Sequence, residues 1–73
     1  MDFLTGRVSQ IQGSVVDVEF SIDNMPEIYE ALEVISPDGP MIILEVEKHL
    51  GDNMVRCVAM DTTDGMQRNT EVR

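Results

Sequence analysis

Turn-forming residues interrupt this sequence so often that no stretch between them is long enough for a stable helix. Gly13, residues 21–26, Ser36-Pro37-Asp38-Gly39-Pro40, Gly51-Asp52-Asn53 and Asp61-Thr62-Thr63-Asp64-Gly65 fall at short, fairly even intervals. The runs between them have the length and pattern of strands. About six short strands without a helix predict an all-β domain, either a closed Greek-key barrel or a small sandwich. Closure removes exposed sheet edges, which matters most where the core is small.

The strand predictions follow from alternation. In Val15–Phe20, Val16, Val18 and Phe20 share one face while Asp17 and Glu19 take the other. Gly13 separates this run from residues 7–12, and it predicts a bulge or sharp bend by which one long strand turns a corner. Residues 28–35 read as a strand, although Glu30 and Glu33 would also suit a helical turn. Residues 41–50 alternate apart from Lys48, with Ile42, Leu44, Val46 and Leu50 against Glu45, Glu47 and His49. A turn at Gly51-Asp52-Asn53 leads into a strand over 54–60, and a polar strand is expected over 67–72.

With 73 residues there is room for one domain, spanning 1–73. A domain this small buries only ~60% of the surface of its unfolded chain, so outside support is expected. The single cysteine, Cys57, excludes an internal disulfide framework. Fourteen acidic residues against five basic ones give a net charge of -9. That balance opposes nucleic acid, whose binding draws on Lys and Arg. It is also what solvated outward strand positions would give. No apolar run approaches a membrane span, and the N-terminus lacks the features of a signal peptide. A soluble, reducing compartment is the expectation.

Two runs are apolar on both faces. If Ile42 and Leu44 point inward, Met41 and Ile43 point outward. If Val55, Cys57 and Ala59 point inward, Val58 and Met60 point outward beside Arg56. Met41, Ile43, Val58 and Met60 are therefore the interface candidates. The alternative is that the domain's own N-terminal strand covers them.

Catalytic patterns are weak. None of Gly6, Gly13, Gly39, Gly51 and Gly65 is followed by lysine, so the backbone cradle and lysine of a P-loop have no seat. Asp64-Gly65 with Glu71 imitates the second half of a calcium loop, but Met60 and Thr62 occupy the first two ligand positions. His49 and Cys57 could be a base and a nucleophile, yet no orienting third group accompanies them; Cys57 reads as a small buried hydrophobe. Asp17 with Glu19, and Glu45 with Glu47, are carboxylate pairs spaced to share a strand face, and solvated positions explain them more simply. Stacking aromatics are few: Phe3, Phe20 and Tyr29. No catalytic, cofactor-binding or metal-ligating residue is assigned.

Three stretches taken together are more specific. Gly6-Arg7-Val8 through Gly13-Ser14-Val15-Val16-Asp17-Val18-Glu19-Phe20 is the first, and Pro26-Glu27-Ile28-Tyr29-Glu30-Ala31-Leu32-Glu33-Val34 the second. The third is Leu44-Glu45-Val46-Glu47-Lys48-His49-Leu50-Gly51-Asp52-Asn53, continuing as Val55-Arg56-Cys57-Val58-Ala59-Met60-Asp61. In this order and spacing they resemble the N-terminal domain of the F-type ATP synthase β subunit, and Thr63, Gly65 and Arg68 extend the match. Asn69 stands where that family usually has glycine, and Cys57 where it has a small hydroxyl residue.

The resemblance implies a closed six-stranded antiparallel β-barrel. Barrels of alternating α and β subunits would join in a crown above the catalytic ring of a complex that couples proton transport to ATP synthesis. The partners implied are α-subunit N-terminal barrels and, through the ring, other β subunits, without nucleic acid or direct membrane contact. Mg-ATP and ADP belong to parts of the parent that have no counterpart here, so this chain is expected to be an excised or fragmentary domain, not an enzyme by itself. The implied location is the cytoplasmic side of a bacterial inner membrane, with mitochondrial matrix or plastid stroma as alternatives. A rival reading is a free-standing small barrel that grips a peptide at Met41, Ile43, Val58 and Met60. The two differ in whether an α-subunit barrel is bound.

Overall fold

The computed structural model describes residues 6–20, 25–35 and 41–73. They hold six strands: β1 (Gly6–Gln12), β2 (Val15–Phe20), β3 (Ala31–Ile35), β4 (Ile42–Gly51), β5 (Met54–Ala59) and β6 (Glu71–Val72). The strands close into a barrel in the order β1-β2-β5-β4-β3-β6, with β6 returning to β1, and every pair is antiparallel. β3, β4 and β5 are successive neighbours and β2 lies beside β5, the Greek-key arrangement. The expected six-stranded all-β barrel is present. The turn signals at 21–24 and 36–40, and Phe3, lie outside the described residues.

The core is the inward set of every strand. Val8, Val16, Val18, Phe20, Leu32, Val34, Ile42, Leu44, Val46, Val55, Cys57, Ala59 and Val72 are buried together. Valine fills much of it, because a β-branched side chain packs well on a pleated surface and loses little freedom there. Ile11, Met25 and Met66 close over the margins.

Several boundaries differ from the expectation. Gly13 is not a bend in a continuous strand. Gln12 pairs with Val15, so Gly13-Ser14 is a two-residue hairpin loop, with Gly13 at φ 61. Glycine in the first loop position with a left-handed backbone is the type II′ arrangement, whose twist matches that of its flanking strands. The irregularity lies earlier, between Val8 and Gln10. The turn into β5 carries Asp52 and Asn53 at φ 54 and 62, as a type I′ hairpin needs.

The strand expected over 28–35 begins only at Ala31, because Ile28 and Tyr29 form a turn. The clean alternation expected through His49 and Leu50 also fails. The β4–β5 register shifts between Val46 and Lys48 and again between His49 and Gly51. Lys48 therefore stands opposite Arg56, and His49 opposite Val55. A bulge resets which residues face a partner strand without changing the sequence pattern. The final strand is Glu71–Val72, shorter than the expected 67–72. The preceding residues bond to β1 through turns, with Asn69 N–H donating to Val8 O (2.7 Å) and Val8 N–H to Thr70 O (2.9 Å).

Candidate functional site

Residues directly opposite each other on paired strands share a face. Counting outward from the core therefore lays out the wall made by β2, β5 and β4. Val58 lies opposite Val15 on one side and Glu45 on the other. One step along, Arg56 lies opposite Asp17 and Lys48. Just beyond β5, Met60 N–H donates to Ile43 O at 2.9 Å. Met41 is 61% exposed, Met60 55% and Ile43 36%, while Val58 is half-buried. The four interface candidates thus sit on or beside β4 and β5, and three are open to solvent. Of the N-terminal segment offered as alternative cover, β1 pairs edge to edge with β2 and β6, and residues 1–5 lie outside the described residues.

Asp17 points outward, as the alternation requires, yet its side chain is only 8% exposed. Arg56 covers it. The guanidinium donates from Nε to Oδ1 at 2.9 Å and from Nη2 to Oδ2 at 3.2 Å, and remains 47% exposed itself. A planar fork on a carboxylate is the strong form of such a pair. The hydrogen bond from Asp17, then its charge, push the pKa of Arg56 up against a smaller opposing effect of desolvation. The pair spans β2 and β5, 39 residues apart in sequence. Sequence reasoning missed it because alternation gives the face of each residue but not the register between strands.

The other carboxylates and the cysteine do less. Asp17 is committed to Arg56, while Glu19 is exposed and opposite Arg7 and Met54, so these two acids do not form a working pair. Glu45 and Glu47 do meet: a hydrogen bond with Glu45, then desolvation, then like-charge repulsion raise the carboxyl of Glu47 above its ordinary value. Cys57 is fully buried between Val16 and Val46. Burial, then the charges of Asp17 and Glu47, push its thiol up to about 12. A thiol so rarely ionised is a poor nucleophile. His49 is engaged elsewhere, with Nε2 2.6 Å from Pro26 O. Oxygens of the imitation calcium loop serve its own backbone, as Thr62 N–H donates to Asp61 Oδ1 and Asp64 N–H to Thr62 Oγ1.

A groove of about 540 Å³ opens between the N-terminal end of β1 and the turn before β6. Arg7 and Arg68 line it, and each also donates to a backbone carbonyl: Arg7 Nη1 to Asn69 O (2.9 Å) and Arg68 Nε to Ser9 O (3.1 Å). None of Met41, Ile43, Val58 or Met60 lines this groove.

Residues 8–73 match the model of the ATP synthase alpha/beta family, beta-barrel domain. The chain belongs to that family. The match spans nearly the whole sequence and coincides with the barrel, from Val8 in β1 to the end of β6. In this family's terms the molecule is the N-terminal barrel unit. Asn69, where the resemblance expects glycine, stands at φ 69. Asparagine is among the few residues that tolerate this backbone.

Proposed function

We propose that this barrel is the assembly domain of an ATP synthase β subunit, which joins alternating α and β subunits in the crown of the catalytic head. The observation that carries the reading is an apolar outer wall on a barrel whose own core is already complete. Met41, Ile43 and Met60 stand exposed outside a closed sheet with no free edge to protect. Exposed apolar side chains gathered on one wall are what a subunit contact needs. The β assignment, rather than α, rests on the three sequence stretches that resemble the β subunit.

In this role the domain handles no nucleotide. Mg-ATP and ADP are bound by other parts of the parent subunit, whose complex couples proton transport to ATP synthesis. Its partners are α-subunit N-terminal barrels directly and other β subunits through the ring. The complex is peripheral, on the cytoplasmic side of a bacterial inner membrane or in the matching organelle compartment. The groove beside β1 does not support the rival peptide-binding module, since none of Met41, Ile43, Val58 and Met60 lines it.

The test is size-exclusion with light scattering, with and without an α-subunit N-terminal barrel, and calorimetry with Mg-ATP. Complex formation with the α barrel and no heat from Mg-ATP are the expected results. A stable monomer that ignores the α barrel would overturn the assignment.

A further inference from the structure

The backbone of Tyr29 does something a tyrosine should avoid. Glu30 N–H donates to Glu27 O at 3.1 Å, which closes a four-residue turn, and Tyr29 is its third residue at φ 72. Ile28 is not among the left-handed residues. This is the φ pattern of a type II turn, which calls for glycine, or asparagine, at its third position. A bulky side chain there is a genuine outlier.

Two other turns in the same chain show what the position accepts. Met66 N–H donates to Thr63 O across a turn with Gly65 at φ 85. Thr70 N–H reaches Gln67 O across a turn with Asn69 at φ 69. Those turns use glycine and asparagine; the turn before β3 uses tyrosine.

The strained conformation is held from several sides. Tyr29 N–H donates to Val46 O at 2.6 Å, and Val46 N–H to Glu30 O at 3.0 Å. Glu27 N–H donates to Glu30 Oε1 at 3.0 Å. Pro26 is buried, and its carbonyl lies 2.6 Å from His49 Nε2. Yet the fold makes little use of the side chain so held, for Tyr29 is 73% exposed, with Ile28 beside it at 40%. Strain kept by its surroundings and unpaid by packing marks a functional position.

We propose that Tyr29 is an anchor side chain, held out by this turn for an apolar pocket with a basic rim on the neighbouring subunit. The chemistry of the rim follows from charge. Glu27 and Glu30 stand on either side of Tyr29 in the same turn, and both are exposed. The chain as a whole carries -9, which disfavours a second copy as the occupant. Tyrosine is the residue type such anchors favour, since it brings large, rigid contact area and a polar tip. The inference rests on the crown-assembly reading and adds to it a specific contact, on the strap between β2 and β3 rather than on the β4–β5 wall.

The test compares wild type with Tyr29→Gly, Tyr29→Asn and Tyr29→Phe, using the α-subunit N-terminal barrel as probe, by thermal melting and titration. Glycine and asparagine relieve the backbone, so both variants are expected to melt at or above the wild-type temperature while Kd rises at least tenfold. Phenylalanine keeps the ring and its strain, and its Kd should stay within about threefold of wild type. If both relieved variants melt lower than wild type or fail to fold, the ring supports the barrel and the proposal falls. If wild type and Tyr29→Gly bind the α barrel equally, this inference alone is overturned. If wild type does not bind it, the assembly reading fails and takes the anchor with it. Self-association that Tyr29→Gly abolishes would give the pocket to a second copy and refute the stated partner.

Discussion

Ile43 and Leu44 are sequence neighbours on β4 that point to opposite sides of the wall, and truncating each to alanine separates what the two sides do. Leu44 is fully buried against the core, opposite Leu32 and Ala59. Leu→Ala at such a site costs ~3–5 kcal/mol, lost transfer energy plus the residual cavity. A chain of 73 residues has a total stability of ~4–11 kcal/mol, so this one change removes a large share. At ~2.1 cal/mol/K per residue its unfolding entropy is ~0.15 kcal/mol/K, and each kcal/mol moves Tm by ~6–7 °C. Leu44→Ala should therefore lower Tm by about 20 °C or more. Ile43 is 36% exposed, so its truncation forfeits only part of a burial energy of ~1.5–3 kcal/mol. A loss near 1 kcal/mol, or ~6 °C in Tm, is expected. Binding to the α-subunit barrel reverses the order. Ile43→Ala should weaken it by about tenfold, the equivalent of ~1.4 kcal/mol, whereas Leu44→Ala should leave it unchanged at temperatures where the variant is folded. Differential scanning calorimetry and titration read both quantities. Equal Tm losses would refute the inside-outside phase of β4, and unaltered binding by Ile43→Ala would refute the role of the wall.

Two further perturbations test the barrel itself. A Cβ on Gly6 would lie 2.8 Å from Glu19 O and 2.8 Å from Phe20 Cε1, and Phe20 is only 1% exposed, so its ring has nowhere to go. Gly6→Ala should cost ~1–3 kcal/mol and lower Tm by about 10 °C; an unchanged melt would show that the β1–β2 pair yields freely. The raised carboxyl of Glu47 works against the fold at neutral pH, since a group whose folded pKa lies above its unfolded value contributes stability at low pH that is lost as pH rises through the folded value. Glu47→Gln should therefore melt higher than wild type at pH 7, with the difference closing below about pH 4; a difference that grows on acidification would reverse the sign and refute the cause.

Strand identity was legible because the inward positions of β2, β4 and β5 alternate in the sequence, and because Gly51-Asp52-Asn53 carries turn chemistry of its own. The outward placement of Met41, Ile43 and Met60 followed from the same alternation. Gly13-Ser14 could also have been read as a hairpin, since glycine followed by serine is a two-residue loop signal. The expectation of a corner there put the irregularity a few residues too late. The bulges in β4 had no such signal. The pattern from Ile42 to Leu50 continues almost undisturbed while the pairing slips beneath it.

What alternation leaves out is pairing between distant segments and conformation within a turn. Asp17 and Arg56 each look like a solvated outward charge until the β2–β5 register sets one over the other. Tyr29 looks like part of a strand until the bonds from Val46 fix the backbone on either side of it. Both features lie outside the core, and both are costly to hold: a carboxylate taken out of water, and a tyrosine in a backbone suited to glycine. A barrel whose interior is an uninterrupted valine-rich cluster has little need of either for closure. The proposed place between neighbouring subunits would give both a use, since Arg56, forked onto Asp17, and Tyr29, on a backbone held by Val46, each present a side chain on the outside.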